Sequence, residues 1–442
     1  MQTRKDLYQA HRLMTQRVAL ALLQGKPGAA ESPLRRTGVG ALCGVMVVVL
    51  VAAGFGISGL LFKGGARNLE KPGTLLIEKE SGATYAYSQG KLIPFLNYAS
   101  ARLAMSGTTI QRKLVSSKSL SKYPRGPLTG IQNAPESLPQ TTAKPPWSLC
   151  TRNHTVSLTA TRSVGGTPLT DAQAVLVQAG PQVWLVWRDT RMRITLRAAR
   201  ALTADSPTPV DERWLNGLPE GPNFQAPSIP SWGRPTKGPS GSPTPVGQLF
   251  NVPAIAGTPE RWYVQLPDGL SAISKTQARL LLDNTGPGKD SPGQPVPITP
   301  AQAAGNASRT NLHSRDLPED PPTTVPYAAS TPLCAVYRAT DKFSTEARFT
   351  LGGTLPAASS DRITLPGGGT FAGTLSVPGQ RPQTFSLLTD QGIRYPIPTP
   401  EDVTKLGYSA SRAAPVPASL FQLFKEGPAL TAPAARTPLP TK

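Results

Sequence analysis

Three histidines, three cysteines and a few adjacent carboxylates are the residues of this 442-residue chain that could do chemistry, and their spacing assembles no familiar constellation. His11, His154 and His313 lie far apart, and no H-E-x-x-H pair sets two imidazoles on one helix face for zinc. No G-x-S-x-G elbow presents a nucleophilic serine. A phosphate-cradling loop needs a leading glycine, then Gly-Lys and a hydroxyl. Gly25-Lys26 runs into Pro27, Gly90-Lys91 into Leu92 and Gly288-Lys289 into Asp290, and none has the leading glycine. The run LPGGGTFAG near Gly368 has no lysine and reads as a turn between strands. Asp211-Glu212 and Glu401-Asp402 open predicted helices, where negative charge suits the macrodipole. No catalytic residue, cofactor site or metal site is expected, and the chain is read as a non-enzyme.

The cysteines say more about compartment than about catalysis. Cys43 sits in a run without charge from Thr37 to Phe62, flanked by Arg35, Arg36 and Lys63. That run exceeds the roughly 20 residues needed to cross about 30 Å of hydrocarbon, so it is expected to be one transmembrane helix. Its apolar core is too long, and begins too far into the chain, for a cleaved signal peptide. Gly40 and Gly44 form a small-xxx-small pair that could seat a neighbouring helix, although glycine is ordinary in membrane helices. Seven basic residues precede the run, which favours a cytoplasmic N-terminus, while Lys63, Arg67, Lys71 and Lys79 follow closely. Cys150 and Cys334 are the other two cysteines. They either pair, which would require an oxidising compartment, or stand as two buried thiols. Apart from His154 near Cys150, no ligand lies at metal spacing.

A formal charge of +20 raises nucleic acid as a partner, but the Lys and Arg are scattered, with no dense run and no aromatic interleaving. A surface facing anionic envelope material or membrane lipid is expected instead, with no nucleic acid. With 41 glycines, 48 prolines and only 6% aromatic residues, the chain should be rich in turns and β-structure.

Residues 1–36 read as a cytoplasmic amphipathic helix with a basic flank; Leu7, Ala10, Met14, Val18 and Ala21 share one face, and Gly25 and Pro27 end it. Too little else lies on that side to bury the face, so Leu7, Met14 and Val18 are expected to bind lipid or a partner. Residues 37–62 form the span and 63–430 the large remainder. Within that remainder one pattern recurs: an aromatic strand, a tight turn, a second strand and a helix. It appears near 84–105, 184–202, 262–282 and 385–408. Asp268-Gly269 and Gln391-Gly392 supply positive φ in the later copies, whereas WLVWRDTRMRI from Trp184 lacks a turn glycine. The Pro/Gly-rich stretches around Ser240 and Pro292 read as connectors or mobile loops, and 431–442 as a flexible tail.

Taken together, several segments resemble EccB, a core membrane component of the bacterial type VII (ESX) secretion system. They are RKDLYQAHRLMTQRVALALLQG before the span, GTLLIEKESGATYAYSQGKLIPFLNYASARLAM from Gly73, WLNGLPEGPNFQAPSIPSWGRP from Trp214, WYVQLPDGLSAISKTQA from Trp262 and DQGIRYPIPTPEDVTKLGY from Asp390. Cys150 and Cys334 fall where the family carries paired extracytoplasmic cysteines. The resemblance implies a β-rich α+β protein: a cytoplasmic helix, one transmembrane helix, and an elongated extracytoplasmic region of β-hairpin/helix repeats around a central domain. It implies a single-pass protein of the bacterial cell membrane that self-associates and assembles with EccC, EccD, EccE and MycP-like components. Some relatives are labelled ATPases, and no motif here supports that activity. The expected function is a structural subunit that anchors and scaffolds the secretion complex. An ATP-hydrolysing component and a basic envelope-polymer-binding protein are the alternatives.

Overall fold

Arg4–Gln24 forms helix α1 because its residues are mostly strong helix formers with no internal glycine or proline. The Thr3 hydroxyl donates to the Asp6 carboxylate (2.5 Å) in the opening turn, and this bond holds the Asp6 carboxyl below its usual range. Pro33–Leu61 forms α2, opening on a proline whose missing N–H costs nothing there. A lone apolar run that crosses a bilayer must satisfy its backbone internally, and a helix is the form that does so. Thr37–Ile57 is long and apolar enough for that role.

The computed structural model describes residues 3–24, 33–61, 69–105, 110–162, 164–255, 257–283, 294–338, 343, 346–355, 360–377 and 379–440. These fall into two units, Met1–Asn68 and Leu69–Lys442.

Four stretches of the larger unit share one topology: a strand, a hairpin laid antiparallel beside it, a short helix, and a closing strand that returns parallel to the first. In the first stretch these are β1 (Thr74–Glu78), β2 (Thr84–Ser88), β3 (Lys91–Phe95), α3 (Tyr98–Ala104) and β4 (Gln111–Val115), in sheet order β3-β2-β1-β4. The others begin at Gln173–Ala179, Leu249–Val252 and Gly369–Leu375 and close with Thr208–Pro209, Val296–Pro297 and Ala414–Pro417. Their helices are Leu196–Leu202, Lys275–Asp283 and Pro400–Lys405. Such helices are too short to persist alone. Each is started by a side chain at the hairpin exit: Asn97, Thr195, Ser274 and Thr399 accept from the backbone N–H three residues on. Gln89 and Gly90 turn the first hairpin at φ of 50° and 78°. The second has no glycine, and Arg188 itself takes φ of 53°, its guanidinium lying 4.3 Å from the Trp187 ring centre.

Between the second and fourth stretches lies a six-stranded sheet. It contains β5 (Trp147–Arg152) and β6 (Thr155–Ala160), with Leu333–Tyr337 antiparallel to β5. One core joins Trp147, Leu149, Trp214, Tyr337 and Phe349 of this region to Val175 and Val186 on one side and Leu388 and Val416 on the other. Trp214 Nε1 donates to the Leu149 carbonyl (3.2 Å) and the Tyr337 hydroxyl to that of Gly217 (2.9 Å), so both buried polar atoms are satisfied. A second core joins the first and fourth stretches through Ala99, Leu103, Phe371, Leu387, Val403 and Leu406.

Two expectations need correction. The proline-rich stretch around Ser240 is a hairpin, Pro235–Lys237 against Pro243–Pro245, with Trp232 covering Gly247. Around Pro292, residues 284–293 lie outside the described residues, but Pro300–Gly305 is a helix with a Thr299/Gln302 capping box. The segment read as a flexible tail is also docked. Leu430 and Ala435 are fully buried, Ala432–Ala435 is a capped helical turn, and Leu439 N–H donates to the Leu128 carbonyl (2.8 Å). Proline and alanine suggested a solvated coil; their small side chains instead allow close approach to α3 and the fourth stretch. Thr441 and Lys442 lie outside the described residues.

Candidate anchor and assembly surfaces

α1 carries the first candidate surface. Leu7, Met14 and Val18 are 68%, 70% and 56% exposed. Their spacing places them on one side of the helix, where they form an uncovered apolar stripe. Arg35 and Arg36 fall on the opening turn of α2, without described side chains, and Lys63 lies outside the described residues. Cys43 faces outward from α2 as a free thiol.

Cys150 and Cys334 sit directly opposite each other on β5 and its antiparallel neighbour and form a disulfide, closing a sequence separation of 184. Cys334 is flanked on its other side by Thr350, so the bridge stands at the middle of the sheet with Val164 and Val336 over it. The register brings the two residues together, which residue types alone left open.

The body also carries clefts of ligand size. One, of about 430 Å³, is lined by Asp171, Arg188, Asp189, Arg338, Glu346 and Arg348. Burial pushes the Asp189 carboxyl up, and the nearby Glu346 charge adds to the effect. No histidine or cysteine is among its lining residues. Among the described residues no group of three or more His, Cys, Asp or Glu is arranged to hold a metal. Gly90-Lys91 lies at the tip of the β2–β3 hairpin instead of a strand-to-helix junction. His313 Nε2 meets Glu319 (2.9 Å) on the surface, remote in sequence from His154.

Three side chains hold the ends of the body together in contacts that the sequence reading did not anticipate. Asp402 is buried; its Oδ2 accepts from the Thr399 hydroxyl (2.6 Å) and its Oδ1 from Ala432 N–H (2.9 Å), clasping the C-terminal segment to the fourth stretch. Arg102 on α3 donates to the Lys405 carbonyl (3.0 Å), and Arg436 donates to that of Ala104 (3.1 Å). The signal for Asp402 was in view, since T-P-E-D is an N-terminal helix pattern, but its second partner lies 30 residues away.

A candidate membrane span joined in sequence to a disulfide-stapled body of hairpin-helix units defines a class of membrane subunit. The family profile described as "Type VII secretion system ESX-1, transport TM domain B" matches residues 1–440. The chain belongs to this EccB family. It is 31% identical over 446 residues to the ESX-3 secretion system ATPase EccB3 of Mycolicibacterium smegmatis, covering 90% of this chain and 83% of that one. It is 26% identical over 457 residues to the ESX-1 secretion system ATPase EccB1 of Mycobacterium tuberculosis, covering 96% and 92%. Among solved structures, the EccB3 dimer from the ESX-3 core complex superposes with a TM-score of 0.63 at 28% identity over 82% of this chain and 99% of that one. A chain of the intact ESX-5 inner membrane complex shares the fold, with a TM-score of 0.61 at 24% identity over 100% and 96%.

Proposed function

We propose that this protein is a non-catalytic scaffold of a type VII secretion complex, with its N-terminus in the cytoplasm and its disulfide-bonded body outside. In this reading α1 docks on cytoplasmic partners, α2 anchors the chain, and the body fixes the geometry of the assembly through self-association. The exposed stripe of Leu7, Met14 and Val18 carries the reading, since an amphipathic helix uncovered along its apolar side is built to be covered by something else. The partners are components of the EccC, EccD, EccE and MycP types. The disulfide supports an oxidising location for the body. The word ATPase in relatives' names is not carried over, because each Gly-Lys pair lacks the glycine and hydroxyl that a phosphate loop needs.

Affinity purification from gently solubilised membranes tests the assembly: an ATPase and a multi-span protein should co-elute, and a lone protein would sink the scaffold. Orientation is tested by adding protease to intact protoplasts, which should digest the body. ATP turnover by the purified full chain that a single substitution abolishes would overturn the non-catalytic assignment.

A further inference from the structure

The total charge conceals an uneven distribution. Residues 63–125 carry eleven Lys and Arg against three Asp and Glu, whereas residues 126–442 carry twenty-eight against twenty-one. The short segment after the apolar run therefore holds more net positive charge than the rest of the body. Its densest part is Gln111–Arg125, where Arg112, Lys113, Lys118, Lys122 and Arg125 occur with no carboxylate.

The fold puts these cations on the outside of the first stretch. β4 is an edge strand bonded only to β1, and it exposes Arg112 and Leu114, the latter to 63%. The chain then crosses one face of the sheet through α4 (Ser117–Leu120). Ser119 and Leu120 turn inward there, while Lys118 and Lys122 stay exposed. It ends beside β3, where Leu92 N–H donates to the Pro124 carbonyl (2.9 Å).

The carboxylates nearby are already engaged. Glu78 accepts from the Ser81 and Tyr85 hydroxyls, and Glu80 from Ser117 N–H (3.0 Å). Glu70 bonds Tyr123. Lys71, Lys118 and Lys122 take part in none of the ion pairs among the described residues. Arg112 rests on the ring of Tyr98 at 5.0 Å, which fixes its guanidinium without neutralising it, and Arg125 rests on that of Tyr85 at 5.3 Å, where the Glu78 carboxylate also acts on it.

We propose that β4 and the α4 crossover bind the anionic headgroups of the leaflet from which the chain emerges, with Arg112, Lys118 and Lys122 on lipid phosphates and Leu114 at the interface. The inference rests on α2 spanning a bilayer. Charge complementarity selects an anionic occupant, and covalent attachment selects lipid over a free polymer. β1 starts at Thr74, soon after the apolar run ends at Phe62. Tethering keeps headgroups at high effective concentration. Attraction between exposed charges fades within a Debye length, about 8 Å at physiological salt, so a tethered surface is the one that feels it. An exposed leucine among cations and tyrosines is also a composition that suits a membrane interface.

The test uses the full chain in nanodiscs of phosphatidylcholine alone and of equal parts phosphatidylcholine and phosphatidylglycerol, with amine acetylation read by mass spectrometry. Lys118 and Lys122 should lose reactivity several-fold in the anionic discs, and high salt should restore it. Exposed Lys237 and Lys425 should not change between discs. In an R112Q/K118Q/K122Q variant, Lys71 should be as reactive in anionic as in zwitterionic discs. Equal reactivity of Lys118 and Lys122 in both discs, or uniform loss at every lysine, would overturn the proposal. Protection by soluble polyphosphate in zwitterionic discs without protection in anionic discs would overturn it in favour of a free polyanion. Failure of the chain to enter either disc would instead refute the span.

Discussion

The two ends of the chain invert what their compositions suggest. α1 is rich in helix formers and has an ordered apolar stripe, yet Leu7, Met14 and Val18 stay exposed. The last segment alternates proline, alanine and threonine, yet Leu430 and Ala435 are fully buried and Ala432 is held by Asp402. Propensity and periodicity report what shape a segment can take. Whether it is covered depends on a complementary surface elsewhere, which no local pattern contains.

If the C-terminal segment is part of the core, truncation after Gly427 should be the most damaging change. It empties the site of Leu430 and leaves the buried Asp402 without Ala432 N–H. Losing a buried leucine and one of the two hydrogen bonds to the Asp402 carboxylate amounts to about 6 kcal/mol, read as a lower midpoint in chemical denaturation. An unchanged midpoint would return the segment to the status of a solvated tail.

The disulfide asks how far that docking depends on the whole body. Replacing Cys150 and Cys334 together with alanine frees the unfolded chain of a loop with a separation of 184, worth about 5 kcal/mol in the chain-entropy treatment. Global stability should fall by that amount while proteolysis of the native protein spares the Leu430 region, because the bridge lies in the central sheet and the segment packs on the other core. Early cleavage near Leu430 would show the two cores to be one.

Asp402→Ala isolates the clasp. It removes both Thr399 and Ala432 as partners and should cost about 2 kcal/mol, whereas Asp402→Asn retains an oxygen for Ala432 N–H and should cost less. Equal losses would mean that the carboxylate's charge, not the acceptor, holds the segment.

The same contrast explains how much was legible. The hairpins were readable because aromatic and β-branched strands flank turns such as Gln89-Gly90. The closing strands were not: Thr208–Pro209, Val296–Pro297 and Ala414–Pro417 contain proline, which reads as loop and is tolerated because each lies at a sheet edge. Arg188 hid the second turn by adopting positive φ without glycine. The cysteine pairing needed the register that sets Cys334 opposite Cys150, and the burial of Leu430 needed the surface of a stretch far behind it in sequence. The apolar face of α1 was fully visible, because amphipathic spacing is a local property, but its occupant is not written there.

The smallest effect on stability should come from the end that looks most structured. Leu7→Asp, Met14→Asp and Val18→Asp together place charge on side chains that are already more than half exposed, so no buried contact is lost and the body's stability in chemical denaturation should change by less than about 0.5 kcal/mol. α2 is untouched, so the protein should still partition with membranes. What should disappear is co-elution of the partners proposed for α1, since the stripe can no longer be covered by an apolar surface without burying a carboxylate. If the triple variant lowers the midpoint as truncation after Gly427 does, α1 is a structural element of this chain and the difference between its two ends dissolves. If stability and partner recovery are both unchanged, the stripe is a bare helix face and the scaffold must hold its complex through the body alone.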